Sequence, residues 1–432
     1  MPPSLPALRL ARLSKERRTV GTVDTLVRAH IGLHSTDYAS PYLSSWARRE
    51  GFDAAALAGR LSQGQGLVRI NCFRNTVHVV HVDDLPMLVA ATGPACAAVG
   101  RRGLKGLSDE EIRRGLGRIH AALADGPLGT NGLKAALPDL AADSRSWLLL
   151  ALGEGDVIRA DTPHARSNRS RYALTRTWVA GYRGVELPPA EARRELLGRA
   201  VEAFGPVTEA DLAWWLPAAK GEVSRALAAL GTRVRSVEDG GTRYYYAPAL
   251  ADAPVCRPEE LGAWLLPYED GLLKGYVDRS WYLAPGLRDV LFPHSVTHWA
   301  PPAGVSPGPG PHGGVNATGE ARPSIWWEGR AVGRWEERKG GVVWQLHADV
   351  GAEGRRRIEE EIGRLDSFLE RELYPLCCGR AWTSRRGWSV ASQARRGSRR
   401  SRCDGRSAQP GKRVNARSVA RGQDDRADRA DR

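Results

Sequence analysis

The sequence has no C-x-x-C pair: its six cysteines, Cys72, Cys96, Cys256, Cys377, Cys378 and Cys403, are scattered along the chain. Paired thiolates at fixed spacing are what a zinc site or a disulfide framework requires, so neither is expected and a reduced cytoplasmic, nucleoid-associated setting is. No segment approaches 18 uninterrupted apolar residues, and the N-terminal stretch is broken by Pro2, Pro3 and Pro6. Secretion and membrane association are therefore not expected. The glycines of residues 103–106 and 313–314 match no phosphate-binding loop, so neither a nucleotide site nor any cofactor or metal is expected. A heptad or dimerisation helix is also missing, which points to a monomer and away from a regulator reading paired half-sites.

What is present is a globular composition, 42% hydrophobic and 26% charged over 432 residues, enough for two or three domain cores. The net charge of +14 suggests a polyanionic partner, but it is unevenly placed. Residues 377–432 hold 16 Lys and Arg against 5 Asp, a surplus of 11, so the body before them carries only +3. This Arg/Ser-rich tail is expected to be disordered, dispensable for folding, and a source of non-specific, salt-sensitive affinity for DNA.

Apolar periodicity predicts an α+β protein. Helical stripes over residues 23–33, 42–47 and 52–61 give way to strand-like alternation over 67–73 and 76–82, broken at Arg74-Asn75. Helices closed by a β-hairpin are winged-helix order, and the order recurs: helices over 127–137 and 144–152 before strands 156–160 and 172–178, then helices 208–215 and 220–230 before strands 234–237 and 242–246. Thr208 and Asp211 form a candidate capping box. Residues 301–314 read as a Pro/Gly loop, 322–327, 331–335 and 342–346 as an antiparallel meander, and 355–373 as a final amphipathic helix. The expected units are 8–125, 126–187 and 188–262, three tandem winged helices, then a β-rich domain with terminal helix at 263–376 and the tail at 377–432.

Four blocks carry a resemblance to a known family. These are Ile31 to Arg48 with Gly51-Phe52; Phe73-Arg74-Asn75-Thr76-Val77-His78 with Asp83-Asp84-Leu85-Pro86; Gly205-Pro206-Val207-Thr208 running to Trp214-Trp215; and Leu265-Leu266-Pro267 running through Asp270 to Ser280. Together with the run from Arg322 to Gly333 they resemble the AlkZ/YcaQ family of winged-helix DNA glycosylases over residues 10–370. The resemblance implies a monofunctional glycosylase releasing alkylated purines from double-stranded DNA, some members of the family also unhooking crosslinks. The family's catalytic Gln-x-Gln, or Gln-x-Asp, which holds the attacking water, falls on His34 and Thr36 here.

An N7- or N3-alkylated purine is already a cationic leaving group, so the protein's task is to place a water beneath C1′ and stabilise an oxocarbenium-like sugar. His34 with an unprotonated ring nitrogen and Thr36 with its hydroxyl suit that task, and Asp37 is placed to tune His34 or face the sugar's charge. On a helix, positions i and i+2 splay by about 200°, so convergence requires a helix end or a turn. The alternative is that His34 and Thr36 are an N-cap and polar surface pair for a helix starting near Tyr38. Arg74, Asn75 and His78 at the first wing, and Arg166, Arg169 and Arg171 at the second, are candidate DNA contacts, with plain hairpin tips as the alternative. Asp270, Asp278 and Arg279 read first as an Asp–Arg structural ion pair fixing a loop, with an acidic metal or catalytic cluster as the alternative. Of the 14 tryptophans, Trp214-Trp215, Trp326-Trp327 and Trp335 fall in apolar patterns and read mostly as core, with stacking of one of them on an extruded base as the alternative. A winged-helix DNA-binding protein or transcriptional regulator without catalysis is the competing function.

Overall fold

The computed structural model describes residues 3–16, 21–160, 162, 167, 169–292, 320–338 and 341–377. The loop expected at 301–314, Arg166 of the second wing and nearly all of the tail lie outside the described residues.

The chain opens with a helix that composition alone did not flag, α1 (Leu5–Glu16), whose Leu5, Leu8, Ala11, Arg12 and Glu16 are buried along one face. Helix α2 (Val23–Ala29) is capped by Thr22, and α3 (Ser40–Arg48) and α4 (Ala54–Leu61) follow, with β1 (Leu33–His34) between α2 and α3. The hairpin β2 (Leu67–Asn71) and β3 (Val77–His81) closes the first helix-to-hairpin unit. Its turn needs left-handed backbone at Arg74 and Asn75, with φ of 53° and 61°.

Two long helices, α5 (Leu85–Gly103) and α6 (Asp109–Ala122), lead to the second unit: β4 (Leu128–Gly129), α7 (Thr130–Ala136), α8 (Ser144–Glu154), β5 (Val157–Arg159), β6 (Arg171–Leu174) and the single turn α9 (Thr175–Trp178). By length and composition the segment Val82–Gly103 is apolar enough to cross a membrane, but most of α5 is buried in the core. A glycine contact explains how α5 and α8 approach so closely. A Cβ on Gly153 would lie 2.4 Å from the Ala97 nitrogen and 2.8 Å from the Gly93 oxygen, all backbone atoms.

The third unit is α10 (Pro189–Phe204), α11 (Glu209–Trp215), α12 (Lys220–Leu230) and the hairpin β7 (Arg235–Asp239) with β8 (Thr242–Tyr246). The capping box on α11 forms as the sequence suggests: Asp211 nitrogen donates to Thr208 Oγ1 at 3.1 Å and Thr208 nitrogen to Asp211 Oδ2 at 2.8 Å. Short helices α13 (Pro248–Ala251) and α14 (Pro258–Leu261) precede β9 (Ala263–Leu266); α15 (Gly271–Lys274) and α16 (Arg288–Leu291) follow it. The meander is β10 (Ser324–Trp327), β11 (Arg330–Arg338) and β12 (Gly341–Leu346), ending in α17 (Gly351–Phe368).

Sheet pairing adds two features that local patterns do not carry. The hairpins of the first and second units fuse into one antiparallel sheet, ordered β1-β3-β2-β5-β6-β4, joined at Arg69 opposite Arg159. The meander gains β9 as a fourth strand, ordered β12-β11-β10-β9. The fold is thus three successive helix-to-hairpin units with a C-terminal antiparallel sheet and terminal helix. One large apolar core runs through the first unit, the third unit and the C-terminal sheet, and a second cluster centres on Leu116, Leu133, Trp147 and Leu150.

Replacing Gly153 tests the α5–α8 contact. Alanine gains about 1 kcal/mol of helix propensity, but a methyl group forced against backbone cannot be relieved by a rotamer change. Overpacking wins, and Gly153→Ala is expected to lose about 1–3 kcal/mol in urea denaturation; an unchanged or higher stability would contradict the close approach.

Candidate active site

After α2, left-handed backbone at Ile31 (φ 56°) and Gly32 (φ 103°) turns the chain onto the edge of β3. A Cβ at Gly32 would sit 3.0 Å from the Val79 carbonyl oxygen, so only glycine lets the strand come this close. Leu33 then pairs with Val79 and His34 with His78. Pairing persists beyond the strand, with Ser35 nitrogen donating to Val77 oxygen at 2.7 Å and Val77 nitrogen donating to Thr36 Oγ1 at 3.2 Å. In extended chain the side-chain period is two. Leu33 and Ser35 are buried, while His34 is half-buried and Thr36, in the bend after the strand, is exposed. His34 ends the two-residue strand and Thr36 lies in the bend that follows it, so the pair sits at a turn out of a strand and not at a helix end.

The capping alternative does not describe these two residues. Helix α3 starts at Ser40, with Ala39 before it and no side-chain cap bond. Asp37 serves the helix entry instead: Oδ2 accepts from Ser40 Oγ at 3.0 Å and Oδ1 from Ala39 nitrogen at 3.4 Å.

Around His34 the side chains close into a ring. The His34 imidazole meets His78 edge-on with centroids 5.3 Å apart, and His78 meets Phe73 at 5.1 Å. Phe73 packs on Trp215 at 4.2 Å. The neighbouring Trp214 lies 5.4 Å from Lys274 Nζ, which pairs with Glu269 at 3.2 Å. Tyr268, next to Glu269, returns to His34 at 5.9 Å. Strand β1, the first wing, helix α11 and the loop after β9 each contribute to this circuit.

Electrostatics keep both histidines neutral. Burial, aided by His78 and Lys274, pushes the His34 pKa well below the ordinary imidazole range. Burial lowers His78 to about 4. Nδ1 of His34 is buried and has no hydrogen-bond partner among the described residues. An unmet buried polar atom costs about 1–3 kcal/mol, and such atoms in a native fold call for an explanation.

Beneath the ring lies a buried charge network. Arg48 donates through Nη2 and Nη1 to the two oxygens of Asp270 at 2.7 and 2.8 Å, and through Nε to Glu16 at 2.5 Å. Glu16 also pairs with Arg12, and His30 Nε2 lies 3.6 Å from it. Ser44 Oγ and Leu272 nitrogen donate to Asp270 at 2.8 and 3.0 Å. Burial alone would raise both carboxyl pKa values, but Arg12 and Arg48 hold Glu16 below its usual range and Arg48 does the same for Asp270. Asp270 is therefore the carboxylate of an Asp–Arg pair that fixes a loop, its partner being Arg48, a residue 222 positions away. Asp278 accepts from its neighbour Ser280 at 2.7 and 2.9 Å, and Arg279 stacks 3.9 Å from the Phe292 centroid. Among the described residues no group of three or more His, Cys, Asp or Glu is placed to hold a metal.

The candidate DNA contacts divide. Arg74 is exposed and lies over the Trp214 ring at 4.0 Å, with Nε donating to the Trp214 carbonyl at 3.0 Å. Asn75 is held by Asn71, whose Nδ2 donates to its Oδ1 at 3.0 Å, and His78 faces inward between Phe73 and His34. Arg169 and Arg171 are exposed on and before β6, away from the ring's own contacts. A tie joins the two wings through the strand interior: Arg69 Nε donates to Ser35 Oγ at 3.1 Å, Tyr38 hydrogen-bonds Ser170, and Arg159 Nη1 donates to Ser170 Oγ at 3.0 Å. A cleft of about 560 Å³ lined by Val82, Pro86, Val179, Tyr182 and Leu187 shares no residue with the ring. Tyr268, Glu269 and Lys274 were missed by sequence reasoning, and Trp214 was read chiefly as core. The run Tyr268-Glu269-Asp270 and the paired tryptophans were the signal, but nothing local says they face His34.

A family model described as DNA glycosylase AlkZ-like matches residues 27–368. Among solved structures, the Streptomyces sahachiroi DNA glycosylase AlkZ is similar, with a TM-score of 0.66 at 17% identity, covering 85% of this chain and 98% of that one. At that identity the likeness is one of fold. No protein of curated function matches the sequence.

Arg48→Met removes the cation between Glu16 and Asp270, leaving Asp270 buried without its guanidinium partner and Glu16 paired with Arg12 alone, which is expected to cost about 3–5 kcal/mol at neutral pH in urea denaturation. Depressed carboxyl pKa values give stability that is present above the unfolded values near 4 and lost on acidification. His30 and His78, both lowered to about 4 by burial, resist protonation in the folded state, so stability also falls between about pH 6.5 and 4. Protonating Glu16 and Asp270 relieves the variant, so its deficit narrows below about pH 4.5. A deficit under 1 kcal/mol at neutral pH, or one independent of pH, would contradict the network's role.

Proposed function

The chain belongs to the AlkZ-like family of DNA glycosylases, and from that premise we propose that it excises alkylated purines from duplex DNA as a monofunctional, monomeric enzyme, with His34 and Thr36 holding the water that attacks C1′. The observation that carries this reading is the orphan Nδ1 of a neutral His34, two residues before Thr36 in the chain.

The polarity of the pair suits a water between them. Thr36 Oγ1 already accepts from Val77 nitrogen, so its own proton is available to donate to the water oxygen. The unprotonated nitrogen of His34 accepts a proton from the same water. As the water oxygen bonds to C1′, the electron pair of the glycosidic bond passes to the purine and cancels its positive charge. The water's proton goes to His34 and then to solvent. No acid is needed for the leaving base, which suits a site whose histidines resist protonation. Because Nδ1 is closed to bulk solvent before DNA arrives, entry of the extruded nucleotide opens the ring and brings the water with it. Asp37, near the same strand, faces the sugar's developing charge. Unhooking of a crosslink uses the same step wherever the linked base is a cationic purine.

Three variants test the pair on N7-methylated duplex DNA. His34→Ala is expected to lower the single-turnover rate of base release by about 10²-fold or more, with affinity for undamaged duplex unchanged. His34→Gln restores an acceptor and retains most of the rate. Thr36→Val loses about tenfold, since solvent replaces part of an orienting donor. Wild-type rates in His34→Ala would overturn the assignment and leave a winged-helix DNA-binding protein whose chemistry, if any, lies elsewhere.

A further inference from the structure

Most of the aromatic rings around His34 are already engaged. Phe73 lies between His78 at 5.1 Å and Trp215 at 4.2 Å, and His78 between Phe73 and His34. Trp215 packs on Phe73 and, at 5.4 Å, on Phe204, while Trp214 carries the Arg74 guanidinium 4.0 Å over its ring. Tyr268 differs. It is half-buried, and among the described residues its one ring neighbour is His34, at 5.9 Å with the planes 65° apart. Backbone contacts hold it there: Ser40 Oγ lies 3.2 Å from its carbonyl oxygen and 3.0 Å from Asp37 Oδ2. Left-handed backbone at Glu269 (φ 57°) sends Asp270 to Arg48 while Tyr268 stays at the ring. A residue with a side chain keeps that conformation only where its surroundings impose it. Here Glu269 is locked to Ala321, its nitrogen donating to Ala321 oxygen at 2.9 Å and its carboxylate accepting from Ala321 nitrogen. The same pairing brings Glu320 back to the phenol. Its carboxylate accepts from the Tyr268 hydroxyl, and burial together with Glu269, Glu320 and Asp37 pushes the phenol pKa upward.

Water attack at C1′ runs in line with the departing base, so the residue that holds the water and the surface that holds the base lie on opposite sides of the sugar. His34 and Tyr268 come from separate segments and meet through their rings alone, so theirs is the contact that an entering nucleotide parts. A purine alkylated at N7 or N3 differs from an undamaged one by a positive charge spread over its ring system. The face of a phenol attracts such a cation, the more so when its hydroxyl donates to a carboxylate and electron density moves into the ring. At Trp214 a cationic base would meet the guanidinium already there. We infer that Tyr268 is the specificity-determining platform of the site, its ring stacking on the extruded purine and selecting the cationic base over a neutral one. This rests on the reading of the ring as a glycosylase site. Cleavage of the glycosidic bond cancels the charge on the base, so the attraction weakens at that step and the product is free to leave.

The test uses the full chain and two duplexes that differ only in the charge of one base. One carries 7-methylguanine on a 2′-fluorinated sugar, which resists cleavage; the other carries neutral 7-methyl-7-deazaguanine on the same sugar. The ratio of the two dissociation constants is the readout. The wild-type protein is expected to favour the cationic base about tenfold. Tyr268→Phe keeps most of that preference because the aromatic face remains, whereas Tyr268→Leu brings the ratio to about 1. Replacing Tyr268 with phenylalanines of increasing fluorination keeps the shape of the ring while draining its face, so the ratio falls stepwise along the series. A wild-type ratio near unity, a ratio unchanged in Tyr268→Leu, or one indifferent to fluorination would overturn the platform, and the fluorinated series decides even where Tyr268→Leu folds poorly. The two readings fail separately: a fully active His34→Ala variant removes the catalytic pair but leaves the binding ratio, whereas a ratio blind to charge removes the platform but not base release.

Discussion

Arg48 holds together the parts of the chain that make the site. Its guanidinium is buried between Glu16 of the first helix and Asp270 of the loop after β9, while its own helix begins a few residues after the strand that ends at His34. Asp270 is contiguous with Tyr268 and Glu269, so a single ion pair sets the distance between the His34 side of the ring and the Tyr268 side. A buried ion pair of this kind contributes little net stability relative to a well-packed apolar substitute, because desolvation offsets much of the Coulomb gain. Its strength lies in geometry: bidentate pairing tolerates little displacement, and an alternative packing leaves charges stranded. The tie of Arg69 to Ser35, the residue between His34 and Thr36, fixes the same strand from beneath.

The charges around the ring are arranged by what the reaction needs. His34, proposed to take a proton from water, is a neutral imidazole, kept so by burial and by His78 and Lys274. The positive field of Lys274 would oppose a cationic transition state if it stood unbalanced. Glu269 on Lys274 reduces it.

Much of this was legible in the sequence, in proportion to how local it was. The β2–β3 and β7–β8 hairpins, the Thr208–Asp211 cap and the meander declare themselves by alternation, turn residues and cap spacing within a few positions. Strand β1 spans two residues, too short for any period to show, and this is why the His34–Thr36 pair was expected at a helix end. The fusion of two wings depends on one pairing, Arg69 with Arg159, which no local pattern encodes. Asp270 was read correctly as one half of an Asp–Arg pair, but its partner comes from the other end of the chain. Arg74 belongs to a wing turn, as its neighbours suggested, yet it stacks on Trp214 instead of extending from a hairpin tip. Tryptophans that read as core supply part of the ring, because burial and site lining look alike in a sequence.

The central claim, that a neutral His34 takes a proton from the attacking water, is tested most directly by the pH dependence of single-turnover release of free 7-methylguanine, corrected for spontaneous depurination. The account predicts release above background at a rate that stays level from about pH 8 down through the ordinary imidazole range near 6.5, falling only at lower pH as His34 is forced to protonate. Release that falls with an apparent pKa near 6.5, or no release above background at any pH, would contradict it.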